Sequence, residues 1–245
     1  MLVDVHAHLD CKSFNNDLDE VIKRAKNNNV IKIISNGVNP ESNRKVLELA
    51  RKYDIVKPAL GIYPIDSLKM SEEEIDDEIA FIKKSKPLAI GEIGLDLHHT
   101  KELSKQKEVF EKFLKLAEEL RIPAIIHTRK AEKQIIETLE TTKLKKIVLH
   151  TFMGKLKLAK RAEDHGCYFS IPPIINHSSQ LQGLAKQISI SRLLTETDSP
   201  FLSHDRGQRN EPMNVKVVVK KIAEVKCLVE KEVENLIFMN YKNLF

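Results

Sequence analysis

The sequence predicts a single-domain (β/α)8 TIM barrel over residues 1–245. Three observations carry that prediction. Eight short apolar runs alternate with longer amphipathic ones. The runs recur about every 27 residues, close to the roughly 30 of one βα unit. Histidines and carboxylates gather where the apolar runs end, and a barrel collects its strand ends into one ring. A doubly wound open sheet is the alternative, but it would spread those ends along a line.

The elements follow in order. Strand 1 is LVDVHAH from Leu2, strand 2 VIKIISN from Val30, strand 3 VKPALGIY from Val56 and strand 4 PLAIGEI from Pro87. Strand 5 is IPAIIH from Ile122, strand 6 KIVLH from Lys146, strand 7 CYFSI from Cys167 and strand 8 LLTETD from Leu193. Their C-terminal ends are expected near His6, Asn36, Ile62, Glu92, His127, His150, Ile171 and Asp198. Amphipathic runs separate them. SNRKVLELARKY follows Pro40, and EEEIDDEIAFIKK follows Ser71. Between Lys101 and Leu120, Val109, Phe113, Leu116 and Leu120 keep the spacing of a helix with one apolar face. Further helices are expected at Lys130–Thr142, Leu156–His165 and Val215–Lys226, with a last one at Glu230–Asn240.

Composition sets the limits. Hydrophobic residues make up 42% and charged residues 31% of the 245 residues, which excludes collagen-like, low-complexity and disordered chains. The net charge of +5 allows an anionic partner without demanding one. Cys11, Cys167 and Cys227 lack C-x-x-C spacing and read as free thiols in a reducing compartment. The N-terminus carries acids and histidines within ten residues, unlike a signal peptide, and no run approaches the roughly 18 apolar residues of a membrane span. A cytoplasmic location is therefore expected.

His6 and His8 form H-x-H as strand 1 ends. Side chains two apart on a strand point the same way, so both can reach one ion. Glu92, His127, His150 and Asp198 stand at the ends of strands 4, 5, 6 and 8. Any one of these histidines alone reads as a satisfied core residue. Six such groups at one level would be costly to bury, and a dication offsets that cost. Nitrogen and oxygen donors without thiolate suit Zn, Mn, Fe, Co or Ni better than an all-oxygen Mg or Ca site. Six ligands exceed the three that one catalytic zinc needs, so a pair of divalent ions is expected (Zn, Mn, Mg, Co or Ni), with Glu92 as the bridge. His98, His99, His165, His177 and His204 fall in loops or helices and are expected to be solvated.

The segments VDVHAHLD, ALGIYP, AIGEIGLD, IPAIIHTRKA, VLHTFMG, LLTETDSPFL and RGQRNEP resemble, in this order, the motifs of TatD-type deoxyribonucleases. These are metal-dependent hydrolases of the amidohydrolase superfamily. The resemblance runs from Val3 to NYKNLF at the C-terminus. It implies that His6, His8, Glu92 and Asp198 hold one ion, and that Glu92, His127 and His150 hold the second. Departures surround these positions. Tyr63 stands where the family commonly has a histidine, and Leu97 where an aromatic is frequent. Thr128 and Thr151 stand where it often has Ser or Cys.

The resemblance implies metal-assisted hydrolysis of DNA phosphodiesters, releasing nucleotides from an end. Water made acidic by the ions would attack phosphorus, and Asp198 and Glu92 are the expected catalytic carboxylates. Glu196, Asp96 and Asp10 are candidates to support the ligands. Arg129 and Arg209 are expected to bind substrate phosphate through paired donors, ahead of Lys130 and Arg206. Aromatic residues are few, so the sequence shows no provision for base stacking. A small-molecule amidohydrolase on the same scaffold is a rival, although many such relatives carry a carboxylated lysine on strand 4 instead of Glu92. A non-catalytic binding protein should have lost ligands, and none is missing.

Overall fold

A computed structural model describes residues 1–245. Eight parallel strands pair in sequence order: β1 (Leu2–Ala7), β2 (Val30–Asn36), β3 (Val56–Leu60), β4 (Ala89–Asp96), β5 (Ala124–Arg129), β6 (Ile147–His150), β7 (Tyr168–Ile171) and β8 (Leu193–Thr195). Apolar side chains such as Val5, Ile33, Ile90, Ile125 and Leu194 are fully buried, as strands covered on both faces require. Ten helices surround them: α1 (Leu18–Asn27), α2 (Pro40–Lys52), α3 (Pro64–Ser67), α4 (Glu72–Ser85) and α5 (Ser104–Leu120), then α6 (Glu132–Leu139), α7 (Leu156–Asp164), α8 (Ser179–Gln187), α9 (Val215–Lys226) and α10 (Glu230–Leu244). No helix is long and apolar enough to cross a membrane.

The ring closes between β8 and β1. Thr195 Oγ1 donates to the Val3 carbonyl at 2.6 Å. Beyond the end of β8, the Asp198 N–H donates to the His6 carbonyl at 2.8 Å and the His8 N–H to the Ser199 carbonyl at 2.7 Å. The (β/α)8 barrel expected from the eight apolar runs is thus the observed fold.

Four strand ends differ from expectation by two residues or more. β3 stops at Leu60 rather than near Ile62, and β5 runs on to Arg129 rather than ending near His127. β8 stops at Thr195, and the chain reaches Asp198, three residues further on, with a left-handed backbone, φ 54°. β4 runs on to Asp96, so Glu92 lies in mid-strand. There Ile90 pairs with Ala124 but Ile93 pairs with Ile126, three residues against two. Glu92 sits in that bulge, which turns the strand and re-aims the side chain. β1 does the same: Asp4 pairs with Ile33 and Ala7 with Ser35, which puts His6 in the extra turn of chain. Gly61 makes room beside the β4 bulge, since a Cβ on it would stand 2.6 Å from the Glu92 carbonyl oxygen.

Candidate metal centre

The structure brings His6, His8, Glu92, His127, His150 and Asp198 together at the C-terminal end of the barrel. His6 Nε2 and His8 Nε2 lie 3.2 Å apart. Asp198 Oδ1 is 3.5 Å from the first and 3.3 Å from the second. Glu92 Oε2 is 3.6 Å and 3.4 Å from the same two nitrogens. Glu92's other oxygen, Oε1, is 2.7 Å from His127 Nδ1 and 3.1 Å from His150 Nε2. Those two nitrogens are 3.2 Å apart. The carboxylate of Glu92 therefore separates two donor sets and belongs to both.

These spacings fit divalent cations. Donors about 2.0–2.2 Å from one tetrahedral ion stand about 3.3–3.6 Å from each other. The two nitrogens of His6 and His8 lie 3.2 Å apart, and each carboxylate oxygen of Glu92 and Asp198 facing them lies 3.3 to 3.6 Å from them. Four imidazoles and two carboxylates offer nitrogen and oxygen only, the donor chemistry of Zn or Mn.

Other groups aim these donors. The His8 Nδ1–H donates to the Asn36 carbonyl at 3.0 Å, which leaves Nε2 free to bind. His127 Nε2 lies 3.3 Å from Asp96 Oδ2, which leaves Nδ1 toward Glu92. His6 and His150 stack face to face, with ring centroids 4.0 Å apart. Glu196 is fully buried, accepts the Thr151 N–H at 2.9 Å and reaches within 3.8 Å of His150 Nδ1.

The electrostatics point the same way. Burial works against the Glu92 carboxylate, but His150, His127 and His6 hold its pKa well below the ordinary range. Asp198 is also held low, against burial, by the bond from His8 and the charge of its neighbours. Burial opposes a charge on His8 too, yet Asp198 and Glu92 push it up to about 9. His127 and His150 are raised against burial, His127 mainly by Asp96 and Glu92 and His150 mainly by Glu92 and Glu196. Burial and the charge of His150 lower His6. Without cations, the ring of donors thus gathers protons around ionised carboxylates.

Asp96 anchors a second layer of contacts. It is fully buried and accepts from the Tyr63 hydroxyl at 2.6 Å, the His98 N–H at 2.8 Å, the His99 N–H at 3.0 Å and the His99 ring at 2.7 Å. Tyr63, at the position where the family commonly has a histidine, supplies a phenol to this carboxylate. His99 is half exposed but not merely solvated: it lines a cleft of about 620 Å³ with Tyr63, Glu92 and Arg129. Asp10 also lines that cleft and accepts from the Ser42 hydroxyl at 2.6 Å.

The two arginines part company. Arg129 ends β5 with an exposed side chain on the cleft wall. Arg209, expected to bind phosphate, is not brought to the cleft. Its guanidinium donates to Asp17 Oδ1 at 2.8 Å, to Glu211 Oε1 at 2.9 Å and to the Ser13 carbonyl at 2.6 Å, and it lies over the Phe14 ring. Two carboxylates from its own chain occupy the donors that a phosphate would need.

A family model described as TatD related DNase matches residues 3–245. The chain belongs to the TatD family. An uncharacterised metal-dependent hydrolase of Bacillus subtilis, YabD, is 36% identical over 256 residues, covering 100% of this chain and 99% of that protein. The human deoxyribonuclease TATDN3 is 33% identical over 258 residues, covering 100% of this chain and 94% of that protein. The crystal structure of the Escherichia coli TatD homologue YjjV superposes with a TM-score of 0.93 at 28% identity, covering 100% of this chain and 97% of that one. Membership in the TatD family makes this chain a metal-dependent hydrolase.

Sequence reading missed two rim residues of this TatD-family barrel. For His99, nothing in the local sequence pattern signals the tie to Asp96. Phe201 stands 55% exposed beside His8, with ring centroids 6.1 Å apart. The only signal for it was an aromatic three residues after Asp198.

Proposed function

We propose that the chain hydrolyses phosphodiester bonds in DNA with two divalent ions, releasing nucleotides from an end. The observation that carries this reading is the Glu92 carboxylate, whose two oxygens face two separate sets of histidine donors. His6, His8, Asp198 and Glu92 would hold one ion, and Glu92, His127 and His150 the other. Ions bound there supply acidified water and neutralise charge on phosphoryl oxygens.

The chain's own groups do the rest. Asp198 offers its second oxygen to the proton of the attacking water. Asp96 and the Asn36 carbonyl keep the rings of His127 and His8 in the productive tautomer. Arg129 offers a planar fork to a neighbouring phosphate on the cleft wall. The DNA substrate is supported by the 33% identity to a protein named a deoxyribonuclease. Three free thiols agree with a reducing, cytoplasmic setting.

The test loads chelator-stripped protein separately with Zn, Mn, Mg, Co and Ni. Each form is assayed on end-labelled single- and double-stranded oligonucleotides and on a covalently closed circle. Mononucleotides from the linear substrates and an intact circle are expected. Nicked circles would overturn the end-directed mode, and no hydrolysis with any ion would overturn the reading itself.

A further inference from the structure

Phe201 is an anomaly in this protein's use of aromatic side chains. Phe14, Phe110, Phe113, Phe152 and Phe169 are almost completely buried, whereas Phe201 is 55% exposed. A single exposed apolar residue is ordinary on a mobile surface. Phe201 is not on one. Its N–H donates to the Asp198 carbonyl at 2.8 Å. The two residues before it are tied down too: the His8 N–H bonds the Ser199 carbonyl at 2.7 Å and the Asn210 N–H bonds the Pro200 carbonyl at 3.0 Å. The ring is thus fixed to the same turn that carries Asp198, and its backbone placement is settled before any ligand arrives.

Its position matters as much as its rigidity. The ring lies edge-to-face with His8 at 6.1 Å and lines the same cleft as Arg129 and Glu92. A phosphate at the donor cluster would have its attached nucleoside within reach of this ring. Aromatic faces beside cationic groups are how single-stranded nucleic acids are held without reading sequence.

We propose that Phe201 is the stacking platform for the nucleobase of the nucleotide that carries the scissile phosphate. This rests on the phosphodiesterase reading above and deepens it. Ions held by these donors would accept any phosphodiester; Phe201 makes a nucleobase part of what the site recognises, and a π-face serves all four bases alike.

The experiment uses the metal-loaded protein and two oligonucleotides, alike except that one ends in an abasic residue. It compares kcat/KM on the two for wild type, Phe201→Ala, Phe201→Leu and Phe201→Tyr. A phosphorothioate strand ending in 2-aminopurine reports stacking directly by its fluorescence change on binding, without turnover. Wild type should favour the base-bearing end by about tenfold, the lower part of the range for one stacked base. That ratio should fall toward one in both Phe201→Ala and Phe201→Leu, with loss of the fluorescence change, and persist in Phe201→Tyr. A Leu variant that kept the ratio would mean apolar bulk rather than stacking, and an unchanged Ala variant would mean that no base sits there; either overturns the proposal. Wild type that cleaved both ends equally would sink stacking while leaving the phosphodiesterase reading intact. Wild type that cleaved neither would remove both.

Discussion

Asp96 Oδ2 lies 3.3 Å from Nε2 of His127, on the side of the ring away from Glu92. A histidine held at one nitrogen by a carboxylate offers the other to an ion as a fixed, more basic donor. Asp96 is also gripped by Tyr63, His98 and His99, so it cannot follow a displaced ring.

Asp96→Asn should therefore weaken divalent-metal binding by about 10–100-fold while the fold stays cooperative. Chelator-competition titration reads the affinity and a denaturation curve reads the fold. An affinity equal to wild type would show that His127 needs no such support.

Glu92→Gln should lower both metal content and hydrolysis. An amide presents one weak oxygen where the carboxylate presents two charged ones, so the two donor sets lose their shared member. Elemental analysis after gel filtration counts the ions. Two ions bound with near-full activity would end the bridging role.

Metal uptake at neutral pH should release protons. In the metal-free protein His8 is pushed up to about 9, so its ring carries a proton at pH 7, and His127 and His150 are raised in the same direction. Ligation requires them neutral. Affinity should rise with pH and level off once the raised values are passed. Calorimetry in buffers of different ionisation enthalpy measures the proton count, and a count of zero at pH 7 contradicts the account.

Arg209→Ala should cost stability. The ion pair with Asp17 ties the loop after β8 to the segment before α1, the pair with Glu211 braces the loop itself, and their loss should cost about 1–2 kcal/mol after allowance for solvent screening. Arg209 lowers the pKa of Asp17; burial opposes the same effect on Glu211, but Arg24 and Arg209 prevail. Groups with lowered folded values stabilise above their unfolded values near 4 and lose that contribution as pH falls through the folded ones. The gap between wild type and variant in urea denaturation should therefore shrink in acid. A gap that grew in acid would contradict the pairing.

Arg129→Ala should act on substrate instead. Oligonucleotide binding should weaken and its salt dependence fall by about one unit in the log–log slope. Filter binding across a salt series checks this, and an unchanged slope would remove Arg129 from the phosphate path.

The fold was legible because it depends on features that local sequence carries. Runs such as VIKIISN in β2 and the periodic Val109–Leu120 face specify element type, and their spacing specifies eight repeats. The donor identities were legible for a related reason: histidine and carboxylate at apolar run ends are costly without a use. What stayed hidden were relations between distant segments. Nothing near Arg209 announces that Asp17 will occupy it, because the two meet only when the loop after β8 folds against α1. His99 and Asp96 are only three residues apart, yet they meet through a turn whose geometry no hydrophobic pattern records. The extra residues at His6 and Glu92 left no mark either, since a bulge changes pairing and not composition.

Those two bulges also make the centre hard to transplant. A protein engineer who copied His-Ala-His and Gly-Glu onto regular strands of another barrel would carry over every donor atom and lose the aim of two of them. In a regular pleat, neither the His6 nor the Glu92 position keeps the offset created by three residues opposing two. The portable unit is the irregular pair of strands, with Gly61 retained to clear the space beside Glu92.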